Sequence, residues 1–289
     1  MSRTDRKNPS DIKARKKWAT AGLVVLFAIL AILIVLPVWV LFVASFKPGS
    51  DLLQYGLNLD IKFSRMNLDN YVLLFTGRHE YWKWFFNSIC LTVITVACTL
   101  LVSSFVGYGF AVYEFKGKKV LFIIVLLILS IPLEVVMLPL YKQLSTWKMM
   151  DSYGAIILPF VAHASTIFFF RQYLVSIPQS LLEAGRIDGA TEYGIFYRLI
   201  VPLMKPAFSA MAILNGMNAW NNYLWPLLVI RSSDKYTLTL GLNTLINPYG
   251  DNYSLLIVGS VFSVIPIFLL FVAFQKYFIE GMMAGAVKG

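Results

Sequence analysis

Residues 181–207 read LLEAGRIDGATEYGIFYRLIVPLMKPA, a charged stretch, punctuated by glycine and bounded by proline, set between two apolar runs. Its surroundings decide the fold. Of 289 residues, 58% are hydrophobic and 14% charged, and the mean hydropathy is +0.69, whereas soluble domains carry about 25% charged residues. The composition predicts an all-α integral membrane protein. A hydrocarbon core about 30 Å thick takes about 20 apolar helical residues to cross. Six runs come close to or exceed that length, at 19–46, 84–112, 120–141, 153–170, 205–230 and 254–277. The runs are continuous, without the period-two alternation over about 10 residues that marks a membrane β-barrel.

Residues 1–18 form a basic tail, followed by a run too long for a signal-peptide core and without a small-residue cleavage site. Residues 19–289 are therefore read as one six-helix domain that keeps its first span. Lys and Arg near the span ends set the orientation. With six spans both termini share a side, which carries Arg3, Arg6, Lys7, Lys13, Arg15, Lys16 and Lys17, then Lys116, Lys118 and Lys119, then Arg171, Arg186, Arg198 and Lys205. That side is expected to be the cytoplasm. The loop 47–83 on the other side nearly balances its basic residues with Asp51, Asp60, Asp69 and Glu80. Topology thus accounts for most of the net charge of +10, with no call for nucleic acid as a partner.

Several chemistries are missing. The sequence has no GxxxxGK[ST] phosphate loop, no GxSxG elbow and no HExxH motif, so it encodes neither an ATPase of that kind nor those hydrolases. Cys90 and Cys98 stand eight residues apart in one span, roughly 12 Å along an intact helix, too far for a disulfide. With His79 and His163 as the other soft ligands, no metal site is expected and no cofactor is assigned to this chain. Glu134 is the one acidic residue well inside a span. A self-powered carrier usually holds more buried charge than that.

The segment 178–206 is ordered like a folded element. Ser180 and Glu183 match a capping box and predict a helix start just after Pro178. Asp188-Gly189 offers a bend. Thr191 is placed to cap a second helix that runs past Phe196 and Leu199 until Pro202 and Pro206 stop or kink it. Its apolar residues, among them Ile187, Ile195 and Leu199, are too many for a solvated linker. Pattern alone leaves two destinations open, the protein's own spans and lipid headgroups or a partner protein.

EAGRIDGATEYGIFYRLIVPLMKPA resembles the EAA loop of permease subunits of binding-protein-dependent ABC importers, usually written EAAxxDGAxxxxxFxxIxLPxxxP. Glu183, Ala184, Asp188, Gly189, Ala190, Phe196, Pro202 and Pro206 match it, while Gly185, Leu199 and Val201 depart. Further stretches, from FFNS and GYGFAVYEFKGKK through NAWNNYLWPLLVI to QKYFIEGMMAGAVKG, are similar to the shorter, maltose-type permease of the carbohydrate-uptake branch and extend the likeness over residues 85–289. The resemblance implies a coupling element that docks in an ATP-binding subunit through Glu183, Ala184, Ile187, Asp188, Gly189, Ala190 and Phe196. It also implies a second permease, two ATP-binding subunits holding ATP and Mg, an extracytoplasmic solute-binding protein and a sugar substrate. The setting is the cytoplasmic (inner) membrane of a bacterium or archaeon. The rival reading is a self-sufficient channel or secondary carrier.

In the fifth span Asn215, Asn218 and Asn222 fall on one helical stripe with Asn221 at its edge, and Trp220, Tyr223 and Trp225 lie in the same run. Amides for hydroxyls and rings for apolar sugar faces suit a carbohydrate pathway; interhelical bonding and an interfacial belt use the same residues. Glu134, between Pro132 and Pro139, marks a broken helix with a role in substrate contact or gating, or a local hydrogen bond instead. His163 reads as a packed neutral imidazole and Arg171 as a snorkelling anchor.

Overall fold

A computed structural model describes residues 9–51, 57, 60, 63–77, 80–246 and 253–286. Arg3, Arg6, Lys7 and His79 lie outside the described residues. Among those described, the long elements are helices: α1 Pro9–Ala44, α2 Asp69–Thr76, α3 Tyr81–Val112, α4 Lys118–Leu129, α5 Leu133–Thr146, α6 Tyr153–Ile157 and α7 Ala164–Val175. They continue with α8 Gln179–Ile187, α9 Glu192–Leu203, α10 Lys205–Trp220, α11 Leu224–Val229, α12 Leu238–Thr244 and α13 Tyr253–Ala286.

Four stretches are long and apolar enough to cross a membrane singly, Lys17–Ala44, Tyr81–Val112, Tyr153–Val175 and Tyr253–Lys276. The bent pairs α4–α5, at 105°, and α9–α10, at 76°, bring the number to six if each pair is one span. Three expected spans are not straight helices. The run 120–141 breaks at Pro132, because the residue before a proline is pushed out of the helical region, and α5 leaves at the 105° angle. The run 153–170 tightens at Leu158–Phe160, opens before Ala164 and continues to Val175. The run 205–230 stops at Trp220 and resumes at Leu224. There the Asn221 side-chain amide donates to the Met217 carbonyl at 2.9 Å and the Asn222 side-chain oxygen accepts from the Trp225 amide at 3.4 Å, the side-chain competition with the backbone ladder by which Asn ends helices.

The chain forms two compact units, residues 1–77 with 247–261 and residues 78–246 with 262–289. In the first, the apolar residues of α1 from Trp18 to Trp39 are exposed, and no face of this helix is polar enough to prefer water. Past its end, Asn70 is buried and donates to the carbonyls of Ser45 and Lys47, both at 2.8 Å.

In the second unit α3 lies against α7, α10 and α12. The α3–α7 approach is close at Gly107, where a Cβ would sit 2.9 Å from Phe170 Cβ, 3.1 Å from the Arg171 nitrogen and 3.2 Å from the Ile167 oxygen. The Arg171 guanidinium, expected as a snorkelling anchor, lies 4.6 Å from the centre of the Phe122 ring on α4. The loop before α6 is held by Asp151, in the left-handed region at φ 57°. Its carboxylate accepts from the amides of Arg231 and Ser232, both at 3.0 Å, from the Ser232 hydroxyl, and from Lys235 Nζ at 3.0 Å. These donors, the Ser232 hydroxyl first, hold the Asp151 carboxyl well below the usual range.

Two outcomes are expected. Gly107→Leu overpacks a contact lined by backbone and lowers stability by about 1–3 kcal/mol, read as a lower melting temperature in detergent, whereas Gly22→Leu, where a Cβ meets nothing within 4 Å, leaves it unchanged. The depressed Asp151 carboxyl contributes stability that is complete above the ordinary Asp value and lost as pH falls below about 4. Asp151→Asn therefore costs about 1 kcal/mol at pH 7 and flattens the acid limb of a melting-temperature profile.

Candidate functional site

Two features stand apart from ordinary core packing, an elbow between α8 and α9 and a polar cavity beside α3 and α10. In the elbow, α8 begins at Gln179 with Pro178 as its flanking residue and no side-chain cap. Ser180 is already inside the helix, so the capping box expected from Ser180 and Glu183 does not form. The other end follows its sequence. The Gly189 amide donates to the Arg186 carbonyl at 3.1 Å and the Ala190 amide to the Gly185 carbonyl at 3.0 Å, the paired bonds of a Schellman ending with Gly189 at φ 77°. Thr191 then caps α9, its hydroxyl accepting from the Gly194 amide at 3.1 Å.

An ion pair closes the corner. Arg186 Nε lies 2.8 Å from Glu192 Oε1, Arg186 Nη2 is 3.3 Å from Oε2, and the Tyr113 hydroxyl donates to the same Oε2 at 2.6 Å. Arg186 first, then Tyr113, lowers the Glu192 pKa. Glu192 in turn holds Arg186 more firmly charged.

The elbow has two faces. Leu182, Ile195, Phe196 and Ile200 are buried in a cluster with Tyr108, Phe170, Leu174, Met204 and Met211. Opposite them Glu183, Ala184, Asp188, Gly189 and Ala190 are exposed, with Ile187 85% exposed. Six of the seven expected docking residues therefore share the open face. Phe196 does not: it is 2% exposed, with its ring stacked on Phe105 at 4.5 Å and edge-on to Tyr108 at 5.2 Å. An aromatic ring with a span end within reach is better buried there than held in water. Gly185, the departure from the EAA pattern, is buried where a Cβ would lie 2.9 Å from Leu199 Cδ1 and 3.2 Å from Ile195 Cγ1. The missing side chain lets α8 settle onto α9.

The cavity has a volume of about 290 Å³. Asn215, Asn218 and Asn222 reach it, and α3 contributes Ser88, Thr95 and Thr99, which sit seven and four residues apart and so share a face. His163 and Phe160, at the α6–α7 break, and Thr237 complete much of the wall, and among the described residues no Asp, Glu, Lys or Arg lines it. Asn215 is already engaged, exchanging hydrogen bonds with Thr166 and donating to the Met211 carbonyl at 2.8 Å. Asn218 has no hydrogen-bond partner among the described residues and is exposed to the cavity.

Several expectations change. Asn222 lies beyond the end of α10, so it reaches the cavity from the break and not along a helical stripe. Asn221 is exposed and bonded to its own helix. Trp220 is buried, its Nε1 donating to the Ser263 carbonyl at 3.2 Å and its ring against Phe85; Trp225 is wholly buried, donating to the Ala155 carbonyl at 2.9 Å. Neither ring serves the cavity. Glu134 is exposed in the first turn of α5, where the helix dipole favours a carboxylate, while its neighbour Leu133 lines the cavity. His163, read as a packing residue, is part of the wall, bonded to Ser165 at 2.8 Å. The hydroxyls of α3 and the place of His163 went unread, although Ser88, Thr95 and Thr99 at helical spacing in an apolar run were a usable signal.

Residues 99–283 match the family described as the binding-protein-dependent transport system inner membrane component. Over 268 residues the chain is 51% identical to the arabinooligosaccharides transport system permease protein AraQ of Bacillus subtilis (strain 168), covering 93% of this chain and 95% of that protein. Over 204 residues it is 37% identical to the lactose transport system permease protein LacG of Rhizobium radiobacter, covering 71% of this chain and 74% of that one. A solved bacterial ABC transporter, involved in the import of the acidic polysaccharide alginate, matches with a TM-score of 0.79 at 23% identity, over 95% of this chain and 100% of that chain; at that identity the likeness is one of fold. With this match and these relatives, the chain belongs to the family of binding-protein-dependent transport system inner membrane components, as a permease.

Proposed function

We propose that this permease moves a carbohydrate, a di- or oligosaccharide or related polyol, inward across the cytoplasmic membrane with both termini in the cytoplasm. It does so beside a second, homologous permease. Two ATP-binding subunits supply the work, ATP and Mg are held there, and an extracytoplasmic binding protein delivers the sugar. The observation that carries the reading is the two-faced elbow: one face is fixed in the core of the spans and the other, Glu183 to Ala190, is exposed. A segment that merely lay on lipid would not need Glu183 and Asp188 beside Ile187. A partner's cleft takes the apolar side chains as anchors and the carboxylates as hydrogen-bond acceptors.

The sugar class rests on the named activities of the relatives and on the cavity's chemistry. Asn218, Asn222, Ser88 and Thr95 offer polar groups without formal charge, and Thr99, its own proton given to the Phe160 carbonyl, an acceptor oxygen, which suits hydroxyl-rich neutral solutes. Its volume stands at the lower end of the range for small-molecule pockets, about 300–1,000 Å³. This chain's share therefore holds part of a sugar chain, and the second permease completes the path.

Reconstitution tests the whole. Uptake in proteoliposomes is expected only with both permeases, the ATP-binding subunits and the binding protein; uptake by this chain alone would establish the self-sufficient carrier instead. Gly189→Trp forces a bulky residue into the left-handed region, so the variant inserts and assembles less firmly, and sugar-stimulated ATP hydrolysis is expected to fall about tenfold, equal to about 1.4 kcal/mol of coupling. Undiminished stimulation counts against docking at the elbow. Asn218→Leu is expected to raise the half-saturating sugar concentration or alter preference across a sugar panel while ATP-binding subunits still co-purify.

A further inference from the structure

At the end of the spans nearest the elbow, α4 begins with Lys118 and Lys119, and α7 ends one turn after Arg171. The two helices meet there, with the Arg171 guanidinium over the Phe122 ring. Phe122 also stacks on Phe168 at 6.2 Å and leans on Phe110 at 5.5 Å, so an aromatic floor lies under the charge. α4, α7 and residues 113–117 carry Lys116, Lys118, Lys119 and Arg171 against one carboxylate, Glu114. Lys118 Nζ holds that carboxylate at 2.7 Å, and Lys119 adds to its field. Arg171 has no carboxylate within ion-pair distance among the described residues. It gives one N–H to the Gln172 side-chain oxygen at 2.8 Å, and a guanidinium has about five to give.

We propose that the meeting ends of α4 and α7 form a binding site for the phosphate of an anionic phospholipid, an inference that needs the membrane but neither the solute nor the elbow's partner. A snorkelling cation reaches whatever interface is near; here the neighbours select the occupant. A phosphate supplies acceptors for the remaining guanidinium donors, in a geometry that matches their flat fork. Basic pockets between spans take anionic headgroups in this way. Four cations against one carboxylate favour a headgroup of net negative charge over a zwitterionic one, whose own ammonium would enter the same field.

The surface beside the charges favours lipid over protein. From Val120 to Leu129 α4 reads VLFIIVLLIL, without Gly, Ala, Ser or Thr, and every residue of that run except the half-buried Phe122 and Val125 is exposed. Helix contacts in a bilayer are enriched in the small and hydroxyl residues that the run lacks. α3 shows the contrast: a packed span, it buries Thr92, Thr99, Ser103, Ser104 and Gly107. Acyl chains along the exposed Val120, Leu121 and Ile124 cover a surface of this kind, with the phosphate at the level of Lys118 and Arg171. Free inorganic phosphate would use the charges and leave that surface bare. Only Ser176 to Pro178 separate α7 from α8, so a headgroup held here fixes the membrane level at which the elbow starts.

The test uses the assembled transporter, stripped of lipid in a neutral detergent and titrated with phosphatidylglycerol, phosphatidylcholine or inorganic phosphate, with bound molecules counted by native mass spectrometry. Phosphatidylglycerol is expected to be retained over phosphatidylcholine and not to be displaced by inorganic phosphate. Arg171→Gln is expected to weaken its retention about fivefold, the worth of one basic residue at an anionic surface, whereas Lys142→Gln, which removes the same charge from α5, leaves it unchanged. Equal retention of the two lipids, displacement by inorganic phosphate, or wild-type retention in Arg171→Gln overturns the site. So does capture of the second permease, and not lipid, by a photo-crosslinking amino acid at Leu121. Should Arg171→Gln fail to assemble, Lys116→Gln with Lys119→Gln, both exposed, takes its place, and wild-type retention there also counts against the site. Co-purification of the ATP-binding subunits and sugar uptake are read separately, so loss of the lipid site leaves the importer reading standing.

Discussion

Leu182, Ile195, Phe196 and Ile200 are buried against the ends of α3, α7 and α10, and the function argued above depends on that burial. Each such side chain contributes about 1.5–3 kcal/mol when taken from water. A connecting segment held this way cannot drift from the spans it joins. On the importer reading proposed above, force on its open face would be delivered to the bundle and not lost in a flexible tether. Gly185 belongs to the same constraint, since a side chain there would need the ends of Leu199 and Ile195 to give way.

A second constraint shapes the cavity. In a bilayer, backbone groups freed by a helix break need partners, so irregular backbone is tolerated where it is buried in protein or lines a cavity. The breaks before Leu133, before Ala164 and before Leu224 all border the polar cavity, through Leu133, His163 and Asn222. Hydroxyls and an indole answer several of the freed groups: Thr99 donates to the Phe160 carbonyl at 2.8 Å, Thr239 to the Asn222 carbonyl at 3.0 Å, and Trp225 to the Ala155 carbonyl at 2.9 Å. Asn218, whose side chain has no hydrogen-bond partner among the described residues, stays open to the cavity.

These two constraints explain what could be read from the residues beforehand. Length and hydropathy located all six apolar runs, and Gly189 and Thr191 announced the bend and the cap because both act locally. Phe196 could not be placed by pattern, since an apolar residue that anchors in a partner and one that packs on the chain's own span ends look alike in sequence. Ser180 failed as a cap because the helix starts at Gln179 with Pro178 as its flanking residue, two residues too early for it. The asparagine stripe assumed an unbroken helix: Asn215 and Asn218 stand on α10, while Asn222 lines the same cavity from the break, where the Asn221 and Asn222 side chains bond to the backbone. Trp220 and Trp225 misled because an indole with a carbonyl in reach serves a core as well as it would serve a sugar.

Elbow and cavity meet in α10. It begins just after Met204, in the buried cluster that holds Phe196, and its residues Ala207 and Met211 belong to that cluster. One turn beyond Met211 stands Asn215, tied to the Met211 carbonyl and to Thr166 on α7, and one turn further Asn218 opens to the cavity. Sixteen residues make a rod of about 24 Å. Its base is jointed at a 76° bend, next to a wide turn at Phe196–Ile200 of the kind associated with functional sites. On the importer reading proposed above, a shift of the elbow would displace the base of α10 together with Met204 and Phe196, and the rod would carry that displacement to the asparagines. The Thr166–Asn215 bonds lie between the two ends, so α7 would follow, and the cavity wall would change on two sides at once.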